Sequence, residues 1–180
     1  MEAETGATGG RRSPQQAAEP VPSGPALTEL QRALQQVCEQ AGWPYAEAWS
    51  PRPDGTCTLL PPWHRDDHHR LEPFRRPTEQ LGFMPEFGLP GRVLASKQAI
   101  FVADVITDPL FCRPTAARKA GLVGAVGVPV LAGGRVVAVL VFFGRAGEVS
   151  AWPRVAELAR AATRQFGPST DETPPRPRQG

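Results

Sequence analysis

Apolar residues recur along this chain in two periods, and the switches between them mark out its elements. Over residues 27–40 the spacing is helical: Leu27, Leu30, Leu34, Val37 and Ala41 step by threes and fours, a seam of two heptads that Gly42 ends. So narrow a seam predicts a helix packed on a sheet or on its twin in a second copy. Residues 43–49 and 56–63 then read as strands, reversed by Pro53-Asp54-Gly55. Helical spacing returns over 66–82 at Leu71, Phe74, Thr78 and Leu81, but Pro73 and Pro77 interrupt it and predict a broken helical excursion. Pro90 suits the first turn of a short helix running to Lys97, after which residues 100–105 read as a strand. A turn at Thr107-Asp108-Pro109 leads to a helix over 114–119 that stops at Gly121. Residues 122–131 and 135–143 are β-rich runs joined through Gly133-Gly134, with Pro129 calling for an edge or a bulge. Val155, Leu158, Ala159, Ala162 and Phe166 mark one face of a last helix, with Pro153 early and Arg160 and Arg164 late. The order predicts an α+β fold, two antiparallel hairpins and a lone strand wrapped by helices.

Composition sharpens the boundaries. Residues 1–25 and 167–180 hold Gly, Pro, Ser and charge with almost no large apolar side chain, so both are expected as disordered tails around a domain at 26–166. The longest apolar stretch, eight residues at 136–143, falls short of the roughly 20 that span a bilayer. Acidic Glu2 and Glu4 make a poor leader, so a cytoplasmic protein is expected, with no membrane partner. A net charge of +2 with interspersed signs gives little field for polyanions, and nucleic acid is not expected as a partner. Cys38, Cys57 and Cys112 form no C-x-x-C pair, and an odd count suits free thiols in a reducing compartment.

The words "GWPYAEAWSPRPDG" (42–55), "WHRDD" (63–67), "GLPGRV" (88–93), "DVITDPLF" (104–111) and "GVPVLAGGRVVAVLVFF" (127–143), in this order, resemble GAF domains, the small-molecule sensor modules of signalling proteins. The likeness covers about residues 27–166. It implies a twisted antiparallel sheet of five or six strands with the first and last helices on one face. A roof of irregular helices and loops, 66–98 and 104–121, covers the other, and small ligands bind beneath it. Trp63, Phe101, Asp104, Asp108, Phe111, Cys112 and Arg118 are the expected pocket residues, with Arg113 or Arg118 as counter-charge to the two acids.

Specific chemistries are weaker. "HRDDHH" (64–69) places His64 and His68 four apart, but Arg65 stands where a zinc-protease helix would carry Glu, so no metal is expected. Bilin-binding relatives attach their pigment through an Asp-x-Cys-Phe word; here Cys112 comes two places late, and no covalent bilin is expected. The cofactor stays unknown, and Cys112 is expected as a buried or half-buried free thiol. Cyclic-nucleotide sites of the family need an Asn, and the chain has none. GLPG (88–91) lacks the lysine and hydroxyl of a P-loop. No Ser/His/Asp set stands out, and the chain is expected not to be an enzyme. Only 14 residues follow Phe166, too few for a kinase or phosphodiesterase output. The expectation is a stand-alone sensory module that binds a small molecule or a protein partner. It would signal in trans or as a homodimer through the terminal helices, with Leu27, Leu30, Leu34 and Val37 as the seam. The alternatives are a ligand-free interaction module, like the GAF-related region of plant basic helix-loop-helix regulators, and a GAF-type free methionine sulfoxide reductase using Cys57 and Cys112.

Overall fold

The computed structural model describes residues 22, 24–78, 81–83 and 86–166; the two tails expected to be disordered fall almost wholly outside the described residues. In chain order the elements are α1 (Gly24–Ala41), β1 (Tyr45–Pro51), β2 (Cys57–Arg65), α2 (His68–Thr78), β3 (Gly82–Phe83), α3 (Gly88–Ser96), β4 (Ile100–Val102), α4 (Pro114–Ala120), β5 (Gly124–Ala132), β6 (Arg135–Gly144) and α5 (Trp152–Ala162). The strands form one six-stranded sheet in the order β3-β2-β1-β6-β5-β4, antiparallel at every pairing.

Alternation along the central strands explains why the sheet has two cores. Ala46 and Ala48 of β1 and Ala138, Leu140 and Phe142 of β6 face α1 and α5, meeting Leu30, Leu34, Val37, Val155 and Ala159. Tyr45 and Trp49, with Val139, Val141 and Phe143, face the roof, where Leu71 and Phe74 of α2, Leu89 and Val93 of α3 and Ala117 of α4 cover them. Both faces are apolar, so both must be covered. Leu30, Leu34 and Val37 are buried to within 1% against the chain's own sheet, and Leu27 packs beside them. The seam assigned to a twin helix is therefore used up within one chain, which corrects the dimer-helix assignment for these four residues.

Two other expectations shift. The helix α2 runs unbroken through Pro73 and Pro77; both prolines are exposed, while Leu71, Phe74 and Thr78 are buried and hold it to the sheet. The third predicted strand ends early, at Val102, because the Asp104 carboxylate accepts the Ile106 N–H at 2.8 Å and turns the chain away. In β2, Pro61-Pro62 fall in the interval where the β1 register slips between Glu47↔Trp63 and Trp49↔Leu59, a bulge in which no ladder N–H is missed. Pro129 behaves similarly: it lies past the reach of β4, whose pairing stops at Gly127, and next to the register shift at Val130/Leu131.

The β5–β6 hairpin closes on Gly133-Gly134 with φ of 55° and 74°, the left-handed pair that a two-residue loop requires. Gly127 serves a different end. A Cβ there would stand 2.6 Å from Val93 Cγ2 and 3.1 Å from Leu89 Cγ, so α3 lies directly on bare backbone. Gly127→Val is expected to lift α3 and destabilise the domain by about 1–3 kcal/mol, read as a lowered urea midpoint at constant m.

Candidate functional site

One charged pair lies inside the roof-side core. Glu47 stands in the middle of β1, flanked by β2 at Trp63 and by β6 at Val141, on the face shared with Tyr45 and Trp49. Arg113, the residue just before α4, reaches down to it: Nη2 donates to Glu47 Oε1 at 2.8 Å and Nη1 to Oε2 at 3.4 Å. Their side chains are 4% and 1% exposed. Trp49 Nε1 donates a further bond to Oε1 at 3.0 Å. Arg113 Nη1 also bonds the Thr78 hydroxyl, at the end of α2, which in turn donates to the Phe74 carbonyl at 3.0 Å.

Aromatic rings wall the pair. The guanidinium lies 4.1 Å over the Phe74 ring, with Phe143 at 5.5 Å and Phe111 at 5.8 Å. Tyr45 meets Phe74 and Phe143 edge-on, at 5.1 and 5.8 Å. Its hydroxyl sits beside Glu47 and Thr78 without completing a hydrogen bond of ordinary geometry, and burial followed by the Glu47 charge pushes its pKa well up. Burial alone would depress Arg113, but the charge and hydrogen bonds of Glu47 outweigh it and hold the guanidinium protonated. One side chain thus ties the central strand, the end of α2 and the start of α4.

Few of the residues assigned from the sequence touch this cluster. Phe111 is half-buried and borders it. Trp63 is half-buried, with the guanidinium groups of Arg65 and Arg75 at 4.4 and 4.5 Å from its ring. Asp104 and Asp108 are turned to the backbone, accepting from Ile106 and Leu110 N–H groups at 2.8 Å each, and Asp108 also pairs with Arg92 at 2.8 Å. Arg118 is exposed in the last turn of α4. Phe101 is a correction: its ring stacks on Trp152 at 4.8 Å on the helix-covered face, so it cannot line a space under the roof. The residues passed over were Tyr45, Glu47 and Thr78. The signal was present in "YAEAWS", where an acid shares a strand face with two aromatics and must find a buried partner.

The thiols also divide. Cys38 is buried on the helix side and Cys57 on the roof side; burial pushes Cys57 up to about 11 and Cys38 further. Cys112 is exposed, which corrects the expected sheltered thiol: the loop after Phe111 turns that ring inward and leaves the next residue outside. Its pKa is raised by partial burial, with the Arg113 charge pulling the other way. Among the described residues no group of three or more His, Cys, Asp and Glu could hold a metal, and Asp67 caps α2 by accepting from the His69 and Arg70 N–H groups. No described helix is long and apolar enough to cross a membrane.

An antiparallel sheet with terminal helices on one face and a roof of short helices on the other defines an α+β module of GAF type. The chain belongs to the GAF domain family, whose pattern it matches over residues 27–164. Among solved structures it is similar to the GAF/HD domain protein of Geobacter sulfurreducens, with 10% identity over 78% of this chain and 91% of that one and a TM-score of 0.57. It is similar also to the free methionine-R-sulfoxide reductase of Neisseria meningitidis, in complex with its substrate, at 17% identity over 78% and 77% and a TM-score of 0.56. A third is the GAF domain of a Coxiella burnetii phosphoenolpyruvate-protein phosphotransferase, at 18% identity over 78% and 81% and a TM-score of 0.55. At these identities the likeness is one of fold. No curated protein matches the chain. The reductase overturns the expectation that the chain is not an enzyme, because an enzyme shares this architecture and the fold does not separate binder from catalyst.

Two outcomes test the cluster. Arg113→Met leaves Glu47 charged and buried without its partner and is expected to cost about 3–5 kcal/mol, most of it recovered in the Glu47→Leu/Arg113→Met double variant. Additive losses in denaturant melts would refute the pairing. A disulfide-exchange reagent at pH 8 is expected to label one thiol of the native chain quickly, Cys112, and all three only after unfolding.

Proposed function

We propose that this GAF domain is a regulatory module that works through contact with another protein, its under-roof space held shut by its own side chains. The observation that carries the reading is the buried Glu47–Arg113 pair, walled by Phe74, Phe111 and Phe143, at the centre of the roof-side core. A ligand entering there would have to separate the buried carboxylate from the buried guanidinium, and each needs a new counter-charge before the pair can open. Among the described residues an apolar hollow of about 220 Å³ lies near Leu30, Val137 and Phe166 on the helix side, clefts of about 710 Å³ and about 430 Å³ lie outside α2 and between α1 and α5, and one of about 240 Å³ opens at the edge of α3 beside Leu94 and Val136; neither Glu47 nor Arg113 lines any of these four. The buried pair is what supports the ligand-free interaction reading over the small-molecule reading.

Native mass spectrometry of the gently purified chain is expected to return the apoprotein mass. A panel of nucleotides, amino acids and free methionine sulfoxide, the substrate named for the Neisseria enzyme, is expected to leave Tm unmoved. A ligand at a hundred times its Kd would stabilise the fold by about 2.7 kcal/mol, several degrees of Tm. A small molecule retained in stoichiometric amount, or a shift of that size, overturns the proposal.

A further inference from the structure

Among the described residues the outer face of the roof carries an excess of positive charge. Helices α2 and α4 turn Leu71, Phe74, Ala117 and Ala120 to the sheet and leave His69, Arg70, Arg76, Arg118 and Lys119 exposed. Arg70 of α2 reaches across to the end of α4, where its Nη2 lies 2.7 Å from the point that a Cβ on Gly121 would occupy. Beside them Arg65 and Arg75 share the Glu72 carboxylate and flank Trp63. Among the described residues this face thus holds six permanent cations against the carboxylates of Glu72 and Asp67, and Asp67 is already bonded to the first turn of α2.

The same face is grooved. A cleft of about 710 Å³ runs between the end of β2 and α2, with Arg65 and Arg75 paired to Glu72 within it, Arg76 and His69 beside them, and Pro73 and Pro77, one helical turn apart, as apolar steps. Arg76 in this proline-sided cleft, with Arg70, Arg118 and Lys119 exposed on the same two helices, suits an extended chain that brings carboxylates, because a guanidinium can take a carboxylate in bidentate fashion.

We infer that the outer roof face, α2 with α4, docks an acidic segment of a partner protein, a run of Asp and Glu in extended form. This rests on the reading above, that the domain acts through its surface, and names the partner's chemistry. Charge complementarity selects an acidic ligand. Duplex nucleic acid fits less well: α2 has 11 residues, about 16 Å of helix, enough for few phosphates, and Trp63 is already flanked by two guanidinium groups. An anionic membrane fits less well too, since the exposed large apolar side chains, Phe87, Leu110 and Leu131, lie outside both helices.

The test uses the full chain and a fluorescent peptide of alternating Asp and Glu, with a Gln/Asn peptide of the same length as control, read by anisotropy. The acidic peptide alone is expected to bind, with affinity falling as salt rises. Arg70→Glu/Arg76→Glu, at two exposed positions, is expected to weaken it by about tenfold or more. Arg154→Glu/Arg160→Glu on α5, across the sheet, is expected to leave it within about twofold, since charges well removed from the site are screened. Equal loss in both variants, no binding at low salt, or tighter binding to duplex DNA or to phosphatidylserine vesicles overturns the inference. If the peptide binds as expected while a small molecule is found under the roof, the sealed-roof reading fails and this surface stands. If the peptide fails while the roof proves empty and closed, this surface fails and the sealed roof stands.

Discussion

The Glu47–Arg113 pair sets the relation between the sheet and everything above it. Glu47 is fixed by the central strand β1, hydrogen-bonded on both sides by neighbouring strands, so its position is not adjustable. Arg113 belongs to a loop and Thr78 to the end of a proline-bearing helix, both intrinsically less constrained. A buried carboxylate can keep its charge only if partners come to it, and that requirement recruits the loop and the helix end to one point. The energetic return of such a pair over an apolar packing is small or negative. What it supplies is a single arrangement of three elements that would otherwise rest on non-directional apolar contact.

The two faces of the sheet show the contrast. Under α1 and α5 the core holds many small residues, Ala33, Ala46, Ala48, Ala138, Ala156 and Ala159, between its few rings, Trp43 and Phe142 among them, so the two helices approach the sheet closely along their length. Under the roof, short helices must fill the same area, and large rings do so: Tyr45, Trp49, Phe74 and Phe143, three of them packed edge-to-face. Short helices cannot nucleate well alone. Each is therefore pinned by a specific contact: α2 by Phe74 and Thr78, α3 by its seat on bare Gly127, and the start of α4 by Arg113.

How far this was legible in the sequence follows from the range of each signal. Period and turn chemistry are local, and they located the terminal helices, both hairpins and the Gly133-Gly134 turn within a few residues. They failed where a tertiary contact overrode the local rule: α2 persists through two prolines because its buried side is held to the sheet, and β4 stops early because one aspartate side chain turns the backbone. The family likeness led to the roof but not to its contents. Asp104 and Asp108 are conspicuous polar residues in a loop, yet loop acids are satisfied by adjacent N–H groups, as both are here. Glu47 was the more informative acid, since a charge within an apolar strand has no local way to be satisfied and implies a distant partner.

That distinction bears on where this domain can do work. Among the described residues that make up the buried cluster, the side-chain polar atoms other than the Tyr45 hydroxyl and Arg113 Nε have found partners, and aromatic rings wall the pair. A newcomer there must compete with contacts strengthened by low dielectric. Outside the roof the opposite holds: Arg70, Arg76, Arg118 and Lys119 stand in water at the ends of long side chains, on helices anchored from below by the buried cluster. Flexible charges on a fixed base give up rotamer freedom when they meet a carboxylate, but gain speed of encounter from the field they sum to. The buried pair and the exposed cations are thus two consequences of one arrangement, in which the roof turns its directional bonds inward to hold shape and keeps its net charge outward.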